Sequence, residues 1–197
     1  MIQNKALKRR IIEISYPRKL SHLGSCLTAM DIIKEIYDLK KPNEKFILSS
    51  GHDHIAHAVM MESLRIIKDV GDNIDKYGIH CESPGGCDYS TGSLGQGLPA
   101  AVGMALARKD RTVYCLISDG ECSEGSVHEA LRIQNEQELK NLKVYCNFNR
   151  YGAYKEIDWS DMLDLKNKGV QIVCTNMDDY PEWLQGQQAH YLTLNEE

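Results

Sequence analysis

Seven cysteines are spread along the 197 residues without one CxxC pair. That odd set (Cys26, Cys81, Cys87, Cys115, Cys122, Cys146 and Cys174) argues against both a disulfide framework and a zinc knuckle, and it reads as reduced thiols. No apolar run approaches the ~18 residues that a membrane helix needs. Met1 to Lys5 lacks the apolar stretch of a secretory leader and the last residues carry no lipid anchor, so no membrane is expected and the expected location is cytoplasmic. An excess of positive charge is also missing. With 23 basic against 28 acidic residues the net charge is −5, which argues against a nucleic-acid surface and requires that any small anion be held by local groups. What is present is ordinary for a globular protein, 42% hydrophobic and 26% charged residues, and the length suits one domain spanning 1–197.

Apolar spacing predicts a helix over 7–14, closed off by Pro17, and a second that Ser25 caps and that ends before Pro42. A short strand over 46–49 and a helix over 55–67 follow. The segment 77–96 is rich in Gly, Ser and Pro and has no periodicity, so it reads as a functional loop leading into an Ala-rich helix over 98–107. Three further apolar strands, over 112–117, 142–146 and 170–174, alternate with helices over 125–139 and 159–167. Such alternation implies right-handed crossovers. The expected fold class is therefore α/β, a three-layer, doubly wound and mostly parallel sheet with helices on both faces, with ligands beyond the carboxyl ends of the strands.

Two polar clusters fall at successive strand ends, Ser118-Asp119-Gly120 and Asn147-Phe148-Asn149. A carboxylate, an amide oxygen and a nearby main-chain carbonyl on neighbouring strand ends make an all-oxygen site suited to a hard divalent cation. An isolated Asp-Gly is more often a plain turn. Here it heads the longer string Ser118-Asp119-Gly120-Glu121-Cys122-Ser123-Glu124-Gly125, in which negative charge at the following helix start is also favourable capping. His52, His54 and His57 do not read as a zinc site, because positions 52 and 54 face apart on a helix and no ligand spacing completes a known pattern.

The string from Ser118, followed by Asn149, resembles the GDG-to-N motif of thiamine diphosphate enzymes. Ser21-His22-Leu23-Gly24, Leu48-Ser49-Ser50-Gly51-His52 and Ser90-Thr91-Gly92-Ser93-Leu94-Gly95-Gln96-Gly97 resemble, in the same order, the corresponding blocks of transketolases. Together they resemble the amino-terminal, diphosphate-binding domain of that family. The resemblance implies thiamine diphosphate and Mg²⁺, or Ca²⁺ or Mn²⁺ in its place, with Asp119, Asn149 and the carbonyl of Tyr151 as metal ligands and Gly120 against the diphosphate. It implies that His52 binds the diphosphate, that His22 and His80 face the substrate hydroxyls, and that Gly92 and Leu94 meet the aminopyrimidine. Glu124 matches the glutamate of a carboxylate network across the subunit interface. Imidazoles suit proton transfer near a developing alkoxide because their pKa values lie near neutrality.

The first Gly of the usual GDG is Ser118, the pair before Asn149 is Asn147-Phe148, and the loop block 84–89 is altered in length. Neither of the first two removes a ligand, and the altered loop bears on His80. Too few residues follow Asn149 to build the pyrimidine-binding domain, so the chain resembles the small subunit of a split transketolase. The expected partner is a separate subunit carrying the pyrimidine-binding and carboxyl-terminal domains, with self-association into a heterotetramer and sugar phosphates as substrates. The expected reaction is transfer of a two-carbon ketol unit. A 1-deoxyxylulose-5-phosphate synthase-like or 2-oxo acid dehydrogenase-like subunit, and a non-catalytic cofactor-binding or regulatory subunit, are the alternatives.

Overall fold

A computed structural model of the chain describes residues 3–194. Met1, Ile2 and 195–197, on which the reading of the chain's ends partly rests, lie outside the described residues. Four strands, β1 (Lys45–Leu48), β2 (Val113–Ser118), β3 (Leu142–Phe148) and β4 (Gln171–Cys174), pair in parallel in the order β1-β2-β3-β4. Seven helices accompany them among the described residues: α1 (Lys5–Arg18), α2 (Leu23–Leu39), α3 (His54–Ser63), α4 (Val70–Tyr77), α5 (Gly97–Ala107), α6 (Gly125–Glu136) and α7 (Trp159–Asn167). Side chains alternate across each strand, so each face of the sheet has its own core. Phe46, Leu48, Leu116 and Tyr145 pack with Ile14, Ile33, Val59 and Ile74 from the first four helices. Ile47, Cys115, Ile117 and Cys146 pack with Leu98, Leu131 and Leu165 from the last three. This is the expected three-layer α/β arrangement. No helix among the described residues is long and apolar enough to cross a membrane.

Three local expectations are corrected. α1 continues through Pro17 to Arg18. A proline in the penultimate position of a helix forfeits a single main-chain bond, and burial of Ile11 and Ile14 holds the helix in place. α2 begins before Ser25, which is buried within it; His22 takes the cap position with φ of 62°. α4 was not foreseen, having few apolar residues; it is set by Asp69, whose side chain accepts the Asp72 N–H at 2.9 Å, and by buried Val70 and Ile74.

Parallel pairing brings the carboxyl ends of β1, β2 and β3 to one edge, where Leu48 pairs with Leu116 and Ser118 with Asn147. The start of α5 packs against the end of β1 so closely that a Cβ on Gly97 would lie 2.6 Å from Ser49 Cα. Gly103, on the same helix, has open space around it. Gly97→Ala is therefore expected to lower stability in urea unfolding by about 1–3 kcal/mol through overpacking. Gly103→Ala is expected to raise it by about 0.4–1 kcal/mol.

Candidate functional site

Asp119 follows β2 and is 1% exposed. Its Oδ1 accepts the Gly120 N–H at 2.9 Å, and its Oδ2 accepts the N–H groups of Asn149 at 3.0 Å and Arg150 at 2.7 Å. The two strand ends are thus tied through one carboxylate. Arg150, with φ of 76°, turns the chain so that consecutive amides converge on Asp119, a left-handed backbone that a non-glycine residue adopts at a cost. Asn149 Oδ1 in turn accepts the Tyr151 N–H at 3.0 Å. Against these donors, burial pushes the Asp119 carboxyl up to about 6, with repulsion from Asp53 adding to it.

A cavity of about 210 Å³ opens above these strand ends, lined among others by His22, His52, His80, Asp119, Gly120 and Tyr151. A larger groove lies beside α2, so size does not mark the site; the convergence of imidazoles and a buried carboxylate does. The His22 and His52 rings lie 5.3 Å apart, and His80 lies over Gly92, whose added Cβ would be 3.5 Å from the ring. Burial, with repulsion from His52 and His190, pushes His22 down to about 4. Burial lowers His80 as well. Gly92 and Leu94 also line the cavity. The end of β1 fits against their loop tightly: a Cβ on Gly51 would meet Gly92 Cα at 2.9 Å.

Two predicted residues do not line this cavity. Asn149 lines a smaller adjoining cleft with Tyr151 and His190, and Glu124 sits half-buried at the start of α6, beside Gly95. Sequence reasoning missed four others. Glu121, fully buried, accepts N–H bonds from Gly95 at 2.9 Å and Ser118 at 2.8 Å and the hydroxyl of Ser49, joining the glycine-rich loop to the ends of β1 and β2. Its place inside the acidic string was the available signal, and helix capping absorbed it. His190 and Tyr191 reach the cavity from the carboxyl-terminal segment; the His190 ring donates to the Tyr151 carbonyl at 2.7 Å, and the His190 carbonyl accepts the His22 N–H at 2.9 Å. No pattern in the sequence marks that segment. Asp53, fully buried beside His52, has no hydrogen-bond partner on either carboxylate oxygen.

This donor set fits a divalent cation carrying an anion. No Lys or Arg among the described residues lines the cavity, yet the buried Asp119 carboxyl does, and buried Asp53 next to His52 repels it. A carboxylate offers about four lone-pair positions, and three on Asp119 are taken by amides. One remains for a metal. The Asn149 amide oxygen and the Tyr151 carbonyl, each with one bond accepted, also keep a lone pair.

The fold and this site define a cofactor-binding domain whose ligand sits on the carboxyl edge of a parallel sheet. The profile described as "Transketolase, thiamine diphosphate binding domain" matches residues 19–168, and the chain belongs to that family. It is 34% identical over 170 residues to an apulose-4-phosphate transketolase subunit of Phocaeicola vulgatus, covering 76% of this chain and 60% of that protein. It is 34% identical over 170 residues to human transketolase, covering 75% of this chain and 27% of that protein. A third relative is the 6-deoxy-6-sulfo-D-fructose transketolase subunit SqwG of a Clostridium species, 30% identical over 171 residues, with 75% and 62% covered. The chain thus spans less than two thirds of the length of each of these relatives. Among solved structures, transketolase from Campylobacter jejuni superposes with a TM-score of 0.68 at 19% identity, over 85% of this chain and 35% of that one, which shows the fold.

Because burial favours neutral His22, protonating it opposes folding; that contribution is complete above the ordinary 6.5 and is lost as pH falls toward 4. Ring-carbon NMR of the cofactor-free chain is expected to give a His22 midpoint near 4; a midpoint above 6 would contradict the buried placement. Glu121→Gln turns one acceptor oxygen into a donor facing main-chain donors. A loss of about 1–3 kcal/mol in unfolding free energy is expected.

Proposed function

We propose that the chain is the diphosphate-binding subunit of a two-chain, thiamine diphosphate-dependent transketolase. The observation that carries this is the Asp119 carboxylate, buried at the end of β2, bound to the amides of Asn149 and Arg150 at the end of β3, and open to a cavity with four imidazoles. Asp119, Asn149 and the Tyr151 carbonyl hold Mg²⁺, or Ca²⁺ or Mn²⁺ in its place, and the cation holds the diphosphate. Gly120 leaves room beside it. His52 contributes a ring nitrogen to the diphosphate, while main-chain groups of Gly92 and Leu94 orient the aminopyrimidine. Thiamine diphosphate bound there would supply the thiazolium chemistry for transfer of a two-carbon ketol unit from a ketose phosphate to an aldose phosphate. His22 and His80 donate and accept protons at the substrate hydroxyls, and their lowered pKa values keep the rings neutral and able to do both.

The other half of the reaction belongs to a partner. The cavity holds neither a carboxylate placed to activate the aminopyrimidine nor a basic side chain for a sugar phosphate's phosphate among the described residues, and two relatives are named as transketolase subunits. A separate subunit with the pyrimidine-binding and carboxyl-terminal domains supplies them. Glu124, at the surface beside Gly95, joins a second copy of this chain, giving a heterotetramer. The whole chain serves as one diphosphate-binding domain, and its buried free cysteines suit the cytoplasm.

Purified chain mixed with that partner, thiamine diphosphate and Mg²⁺ is expected to transfer ketol units between sugar phosphates. Turnover by this chain alone would refute the two-chain reading. In calorimetric titrations of the two-subunit complex, Asp119→Ala is expected to weaken cation-dependent cofactor binding by about 100-fold or more, beyond the 10–100-fold typical of losing an outer-shell partner. Unchanged binding would remove Asp119 from the metal site.

A further inference from the structure

Apart from the residues lining the cavity, four side chains that the sequence reading kept apart converge. His54 and His57 lie one turn apart on α3, and Cys81 and Cys87 come from the loop between α4 and α5. All four are buried, at 0%, 1%, 0% and 6% exposure. Their ligand atoms lie within 4.8 Å of one another. The Cys81 Sγ is 3.4 Å from His54 Nδ1 and 3.7 Å from His57 Nδ1; the Cys87 Sγ is 3.7 Å from each. A tetrahedral zinc ion with Zn–S of about 2.3 Å and Zn–N of about 2.0–2.1 Å has sulfur–nitrogen edges of about 3.6 Å. The four edges fit that polyhedron.

From this geometry we propose that His54, His57, Cys81 and Cys87 bind a structural zinc ion, separate from the cofactor's cation. Hydrogen bonding does not account for the cluster. Two thiol protons and at most one ring proton, from His57, leave at least one of the four sulfur–nitrogen contacts without a hydrogen, whereas one cation satisfies all four. The surroundings are those of a metal site. His57 Nε2 meets the Tyr37 hydroxyl at 2.7 Å, and His54 Nε2 faces the Asn73 amide oxygen at 3.4 Å, while the Asn73 amide nitrogen is fixed to the Gly85 carbonyl at 2.8 Å. The Asn73 oxygen holds His54 as the Nε2–H tautomer, and His57 donating its Nε2–H to the Tyr37 hydroxyl turns both Nδ1 lone pairs toward the sulfurs, the arrangement that orients metal-bound imidazoles. Two thiolates neutralise Zn²⁺, so the site is uncharged and tolerates burial. Four protein ligands close the coordination sphere, so the role is structural.

The loop shows what the ion does. Between the cysteines a short turn, Ser83–Gly85, is followed by Gly86 with φ of 105°, which folds the chain back so that both sulfurs face one histidine pair. His80 immediately precedes Cys81, and Gly92 and Leu94 follow Cys87, so zinc clamps the loop that lines the cavity onto α3, directly after His52. The clamp stands on its own geometry; its benefit to the cofactor rests on the reading of the cavity above.

The full chain, expressed with zinc and purified without chelator, is expected to hold about one zinc per chain by mass spectrometry of its metals. X-ray absorption at the zinc edge is expected to show two sulfur and two nitrogen neighbours, and cobalt in its place to give thiolate charge-transfer and intense tetrahedral ligand-field bands. Cys81→Ser and Cys87→Ser are each expected to release zinc to a chelator at least about 100-fold more readily. Cys174→Ser, at the exposed cysteine, and Asp119→Ala are expected to keep the zinc, so failure of the cofactor reading does not mimic failure of this one. A folded wild-type chain that takes up less than about a tenth of an equivalent of zinc overturns the proposal. So does a sulfur-free metal shell, iron in place of zinc, or a Cys81–Cys87 disulfide in freshly purified protein. If the serine variants do not fold, the wild-type absorption spectrum decides.

Discussion

A carboxylate held out of water by main-chain amides alone among the described residues is the constraint around which this molecule is arranged. Asp119 ends the most buried strand of the sheet, and three main-chain N–H groups still leave its carboxyl raised to about 6. Uncompensated ionic burial is costly. The chain bears that cost with backbone: the left-handed turn at Arg150 exists to bring successive amides to one oxygen, and the pairing of Ser118 with Asn147 sets the distance over which they reach. What these amides leave is one free acceptor position on a carboxylate that lines the cavity, held there by the strained turn.

A second buried carboxylate plays the opposite part. Glu121 has its hydrogen bonds filled from inside the protein, by Ser49, Gly95 and Ser118. Every donor belongs to a different segment bordering the cavity, so this side chain fixes how the glycine-rich loop sits relative to two strand ends. Close approach of glycine at 51 and 97 does the same job sterically. The cavity is therefore defined by packing that ligand binding need not create.

Much of this was legible in the sequence, and the reasons differ by residue. The strands over 113–118 and 142–148 were visible because burial on both faces demands continuous apolar runs, and once the sheet is parallel Asp119 and Asn149 must be neighbours. His22, His52 and His80 were marked by ordered motifs, and they line one cavity. Long-range geometry was not legible. His190 reaches the Tyr151 carbonyl across the fold from a segment without periodicity, and nothing local announces that contact. Glu121 and Glu124 show the limit from the other side: both stand in one acidic string, one fully buried and the other half-exposed, and only the turn after β2 separates their roles.

The four residues His54, His57, Cys81 and Cys87 make the same point about spacing. A pattern search looks for ligands paired by a tight turn, but a helix presents ligands at i and i+3 on one face, and a glycine turn can bring two sulfurs together from positions six apart. Burial adds a second constraint. Four polar, titratable side chains packed behind a functional loop would be an expensive way to fill a core that aliphatic residues could fill, as Ile55 and Val59 do on the same helix. Their convergence makes sense as coordination, and it gives a fixed point to the cavity-lining loop between α4 and α5.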